Sequence, residues 1–154
     1  RMTGVGIIEI NGDRVIPVYY DAIKAGSGEF TERLGIIFSG LQDVIREYRP
    51  DQAAIETVFV AHNAASAIKL GQARGAAVCA AISCDVPVSE YSPRSVKQAI
   101  VGRGAADKTQ VQHMVGLLLN INGPIQNDAA DALAVALCHQ HTSHTQARMA
   151  MMQR

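Results

Sequence analysis

The opening of the chain constrains its fold most. Two runs rich in β-branched and aromatic residues meet at Asn11-Gly12, a dipeptide that marks a tight hairpin. Residues 3–10 (TGVGIIEI) and 14–24 (RVIPVYYDAIK) therefore predict an antiparallel pair. Pro17 has no N–H for a ladder, which puts the second strand at a sheet edge. The pattern then alternates. Phe30, Leu34, Ile37, Phe38, Leu41, Val44, Ile45 and Tyr48 recur at steps of three and four, the stripe of a helix that Pro50 stops. Residues 52–58 read as a short buried strand, 63–84 as a long Ala-rich helix and 86–91 as a strand. Ser92 and Pro93 supply a cap and a first helical residue for a helix to about Gly102. Residues 107–119 are amphipathic, with Val111, Val115 and Leu118 on the inward face. Asn127 is expected to cap a final helix through about Cys138, with a frayed tail over about 143–154. A hairpin, then alternating helix and strand, then helices predicts an α/β fold in one domain, 1–154, with a mixed sheet. No internal repeat or linker interrupts it.

Composition narrows the function. The 154 residues carry 14 Lys+Arg against 14 Asp+Glu, so a uniformly basic nucleic-acid binder is excluded. The charge is uneven: residues 1–56 are net acidic, and 57–108 are net basic through Lys69, Arg74, Arg94, Lys97, Arg103 and Lys108. A basic middle can contact phosphates, and it is also what a solvated surface produces by chance. Cys79, Cys84 and Cys138 are odd in number and lack CxxC spacing, which fits a reducing cytoplasm better than a disulfide framework. No apolar run reaches the roughly 18–20 residues of a membrane span.

Glu56 ends an otherwise apolar strand (AAIE), where a carboxylate is costly to bury without a partner or a metal. Asp128 and Asp131 in NDAADALAVAL stand one turn apart on a helix start. They suit the helix dipole, and they also suit a hard cation such as Mg²⁺ or Mn²⁺ between two like charges. His139, His141 and His144 resemble a metal tract, but no partner motif lies elsewhere, and histidines suit a helix end. His62 follows the same strand end as Glu56 and could touch a phosphate. Phe59 could stack on a base or fill the core. Gly71 and Gly75 allow a close helix approach, either internal or across a dimer seam.

Four blocks, RMTGVGIIE, AAIETVFVAHNAASAIKLGQARG, YSPRSVKQAIVGRGAADKTQVQHMV and NDAADALAVALCH, occur in this order and together resemble the bacterial RuvC family of Holliday-junction resolvases over nearly the whole chain. The resemblance implies an RNase H-like fold, a mixed sheet flanked by helices on both faces. It implies a homodimer that cuts four-way DNA junctions with Mg²⁺ or Mn²⁺ during homologous recombination and repair, beside branch-migration proteins of the RuvAB type. Glu56, Asp128 and Asp131 then correspond to three of four catalytic, metal-holding carboxylates. Phe59 corresponds to an aromatic near the cut. Lys97 and Lys108 match basic residues of the DNA surface, and Arg74 is counted with them. Two ions about 3.5–4 Å apart would activate a water and stabilise the leaving 3′ oxygen. The family's first strand, roughly GIDPGSR, carries the fourth carboxylate, and this sequence opens at the Arg of that motif. Without that Asp, the alternative is a junction-binding module that does not cut. An ATPase of the same superfamily ranks below both, since no Gly-rich phosphate loop such as G-x-x-x-x-G-K-[ST] is present.

Overall fold

The computed structural model describes residues 2–57 and 63–153. Strands β1 (Met2–Asn11) and β2 (Arg14–Lys24) pair antiparallel, with Asn11 opposite Arg14. The turn is therefore Gly12-Asp13, one residue later than the Asn11-Gly12 signal suggested. Gly12 takes φ 63° at the first turn position, where a twist-matched hairpin requires a positive angle. The register shifts between Ile7 and Ile8, opposite the stretch containing Pro17. Pro17 is thus accommodated beside a bulge on a strand that, among the described residues, pairs only with β1.

Helix α1 (Phe30–Tyr48) opens on a capping box between Glu29 and Glu32. It lies over β2, where Tyr48 stacks on Tyr19 at 4.8 Å between ring centres. Strand β3 (Ala53–Glu56) runs parallel to β4 (Val88–Tyr91), with Glu56 opposite Tyr91. Helix α2 (Ala64–Ser83) joins them, capped by Asn63, and packs against α1. Helices α3 (Pro93–Val101), α4 (Lys108–Leu118) and α5 (Asn127–Met152) complete the described chain. No helix among the described residues is long and apolar enough to cross a membrane.

The α/β class, the mixed strand directions and the order of elements are as expected. Among the described residues the strands form two ladders, antiparallel β1–β2 and parallel β3–β4. A cleft lined by β1 and β3 runs between them. One departure is α5, which does not stop near Cys138 but continues to Met152. The stretch TQARMAMM contains no Gly or Pro and is made of good helix formers, so propensity sustains the helix past its packing surface.

The core is mainly helical. Val96 and Ile100 of α3, Val111 and Val115 of α4, and Leu133, Ala134, Leu137 and Cys138 of α5 form one buried cluster. Leu119, at the end of α4, takes the inward place expected of Leu118, which is exposed. Helix α5 also presses on β1 so closely that only glycine fits. A Cβ on Gly4 would overlap the main-chain carbonyl of Asp128, and one on Gly6 would come within 2.9 Å of Leu133. Gly40 of α1 packs on Ile23, whose register partner Thr3 points opposite to Gly4. Helices α1 and α5 therefore cover opposite faces of the hairpin.

Candidate active site

The cleft between β1 and β3 is lined by Glu56 at the end of β3 and by Asp128 and Asp131 in the first turns of α5. The N-cap of α5 is Gln126, one residue before the expected Asn127. The Gln126 side-chain carbonyl accepts from Ala129 N–H at 2.8 Å, and its amide donates to Asp128 Oδ2 at 2.7 Å. One side chain thus starts the helix and orients its first aspartate. Asp131, a turn later, accepts a hydrogen bond from Lys108 Nζ at 2.8 Å. Asp107 begins α4 through a capping box with Gln110, which presents Lys108 as the first helical residue.

Electrostatics tie these groups together. Partial desolvation raises the pKa of the Glu56 carboxyl above the ordinary range, and the Asp131 charge raises it further; Lys97 and Lys108 oppose both. Lys108 is pushed up, chiefly by its bond to Asp131, with the charges of Asp131, Asp128 and Glu56 adding. The cleft therefore gathers three carboxylates and two ammonium groups within electrostatic range. Among the described residues, no three His, Cys, Asp or Glu side chains are grouped closely enough to hold a metal ion as they stand. The donors are nonetheless hard oxygens, and repulsion between Glu56 and Asp131 is what a divalent cation would relieve.

The other expected residues separate. Phe59 and His62 lie outside the described residues. Arg74 of α2 turns its guanidinium to Glu90 and to the Glu56 main chain. The histidine tract sits along a continuing helix rather than at a helix end. His141 and His144 are exposed, while His139 bonds Tyr91 Oη at 2.7 Å and Gln52 Oε1 at 2.5 Å. Sequence reading did not single out Gln126, Glu90 or Gln52. Gln126 carried a signal, a polar residue at a helix start; Glu90 and Gln52 matter only through partners brought near by folding.

Partial burial lowers the pKa of His139 below the ordinary value, so the folded chain binds this proton less readily than the unfolded chain. Stability contributed by neutral His139 is present above the unfolded value of about 6.5 and is lost as pH falls from there through the lower folded value. His139→Gln should flatten this loss, read as the difference in urea midpoint between about pH 7.5 and pH 5.5. An unchanged difference refutes it.

A strand-end glutamate and two aspartates on a helix start thus line one cleft of an α/β scaffold, with Lys108 bonded to the second aspartate. The chain belongs to the RuvC family: residues 1–139 match the family model described as crossover junction endodeoxyribonuclease RuvC. It is 52% identical over 151 residues to the protein of that name from Xanthomonas axonopodis pv. citri (strain 306), covering 97% of this chain and 87% of the relative. It is 50% identical over 154 residues to the one from Methylococcus capsulatus, covering 100% and 93%. Its fold is similar to Thermus thermophilus RuvC solved in complex with a Holliday junction substrate, with a TM-score of 0.86, 33% identity, and coverage of 93% of this chain and 88% of that one. A second structure of Thermus thermophilus RuvC gives a TM-score of 0.81 at 34% identity. The RNase H-like α/β class follows from these neighbours.

Proposed function

We infer that the chain hydrolyses phosphodiester bonds at four-way DNA junctions, using Mg²⁺ or Mn²⁺ held by Glu56, Asp128 and Asp131. The supporting observation is that all three carboxylates line one cleft, with Lys108 seated on Asp131. Bound divalent ions would supply an activated water and charge stabilisation at the leaving oxygen. In the hydrolysis, the water oxygen bonds to phosphorus and the bond from phosphorus to the 3′ oxygen breaks. The ends are a 5′-phosphate and a 3′-hydroxyl. Gln126 holds Asp128 in orientation, and the lysines balance phosphate charge.

The twofold character of a four-way junction favours a homodimer that presents two clefts, with the Gly71 and Gly75 face of α2 as a candidate seam. The same reading assigns the chain to recombination and repair in the cytoplasm, beside RuvAB-type proteins, and keeps residues 1–154 as one domain. A binding-only reading draws on the Lys108–Asp131 pair, in which an ammonium occupies an oxygen that a metal ion would use.

The test uses one synthetic four-way junction. The chain should bind it without divalent ions and cut it only with Mg²⁺ or Mn²⁺, and a chelator should stop cutting. Lys97→Ala and Lys108→Ala should each flatten the log–log salt dependence of binding, by up to roughly 0.9 per lost phosphate contact. Binding without cutting under every metal condition selects the binding-only reading. Wild-type slopes in both variants remove the lysines from the DNA surface.

A further inference from the structure

Arg74 is set deeper beside the cleft than Lys108. Its side chain is 23% exposed, against 59% for Lys108. Its Nε donates to the main-chain carbonyl of Glu56 at 3.3 Å, and its Nη2 meets the Glu90 carboxylate on the neighbouring strand. Ile55 and Glu90 are register partners in the parallel ladder. The N–H of Ala53 donates to the Pro87 carbonyl just before β4, and that of Thr57 to the Tyr91 carbonyl at its end. By the alternation of a parallel ladder, the Glu56 carbonyl turns to the other edge of β3, away from β4. Arg74 satisfies it there. One guanidinium therefore fixes the last residue of β3 from outside the ladder and is itself anchored on β4. Only the planar fork of arginine offers two such contacts from one rigid group.

A phosphate-binding role fits this arrangement poorly, because Glu90 already neutralises the guanidinium and burial limits its approach to DNA. We propose that Arg74 is a positioning residue: through Glu56's main chain and Glu90, it sets where the Glu56 carboxylate stands in the cleft. This deepens the reading of Glu56 as a metal-holding residue and rests on it.

The test reads Mn²⁺ affinity of the full chain by electron paramagnetic resonance, together with the salt dependence of four-way-junction binding. Arg74→Ala should weaken Mn²⁺ binding about tenfold, as loss of a partner that orients a metal ligand does, while leaving the salt slope of junction binding unchanged. Glu90→Gln, which keeps shape, should weaken Mn²⁺ binding in the same direction. The double variant should be no weaker than Arg74→Ala alone. Arg74→Lys keeps the charge but lacks the fork, so it should not restore affinity. Thermal melts accompany each variant, and Glu90→Gln carries the test if Arg74→Ala unfolds. The proposal is overturned if Arg74→Ala flattens the salt slope, if Arg74→Lys restores Mn²⁺ affinity fully, or if Arg74→Ala and Glu90→Gln bind Mn²⁺ as the parent does. Glu56→Gln separates the two levels. If it leaves Mn²⁺ affinity unchanged, the reading of Glu56 fails. If it weakens binding and the Arg74 variants do not, only the Arg74 role fails. A parent chain that binds no Mn²⁺ overturns both.

Discussion

Glu56→Gln should lower the rate of junction cutting by about a thousandfold, while the junction still binds. The amide keeps the volume of the carboxylate and removes its charge, so the contacts that hold DNA persist and the pull on a divalent ion does not. Metal-borne charge stabilisation is worth several kcal/mol in such reactions, and each 1.4 kcal/mol is about a factor of ten in rate. The local charge pattern supports the direction of the change. Desolvation and the Asp131 charge already disfavour ionised Glu56, so it is a carboxylate in want of a cation. Single-turnover cutting and a gel shift on the same four-way junction check both halves of the expectation. Cutting at the parental rate would remove Glu56 from the chemistry.

Gly4→Val should be the most destabilising of the substitutions considered. The added side chain meets main-chain atoms of Asp128, with no flexible side-chain end to yield, so α5 must move off β1 or β1 must bend. Overpacking typically costs about 1–3 kcal/mol, and a clash between two main chains belongs at the upper end. For a chain of this size, that is a loss of roughly 10 °C in melting temperature. Because α5 carries Asp128 and Asp131, the Gly4→Val chain should also cut less. Gly35→Ala is the matched control. Gly35 sits exposed in α1 with nothing within 4 Å of an added Cβ, and replacing it should raise the melting temperature slightly. Equal melting temperatures for Gly4→Val and the parent would show that the β1–α5 contact is looser than described.

The features legible in the sequence were those decided within a few residues. Ser92 and Pro93 start α3, Asp107 starts α4 and Asn63 starts α2, because caps act on the next two or three N–H groups. The stripe of α1 was legible for the same reason. Reading failed where two local solutions compete or where the partner is remote. Gln126 and Asn127 can both cap α5, and the extra reach of Gln126 to Asp128 decides between them. Leu118 and Leu119 are both apolar, and Leu119 is the one that continues the buried row of Val111 and Val115 at steps of four, its N–H bonded to the Val115 carbonyl. In the cleft, residue types exposed Glu56, Asp128 and Asp131 as candidates. The pairing of Arg74 with Glu90 was not legible, because nothing in GQARG announces a partner on another strand.

The closeness of β1 to α5 also bears on how the protein is made. Helix α5 packs on β1, β2, β3, β4, α3 and α4, so the last described helix holds the first strand in place. At about 5–20 residues per second, the hairpin leaves the ribosome on the order of ten seconds before α5. A two-stranded hairpin is at best marginally stable alone in water, and the Gly4–Gly6 face that α5 will cover stays open throughout that interval. Translation speed over the second half of the message is therefore a variable in the yield of folded chain.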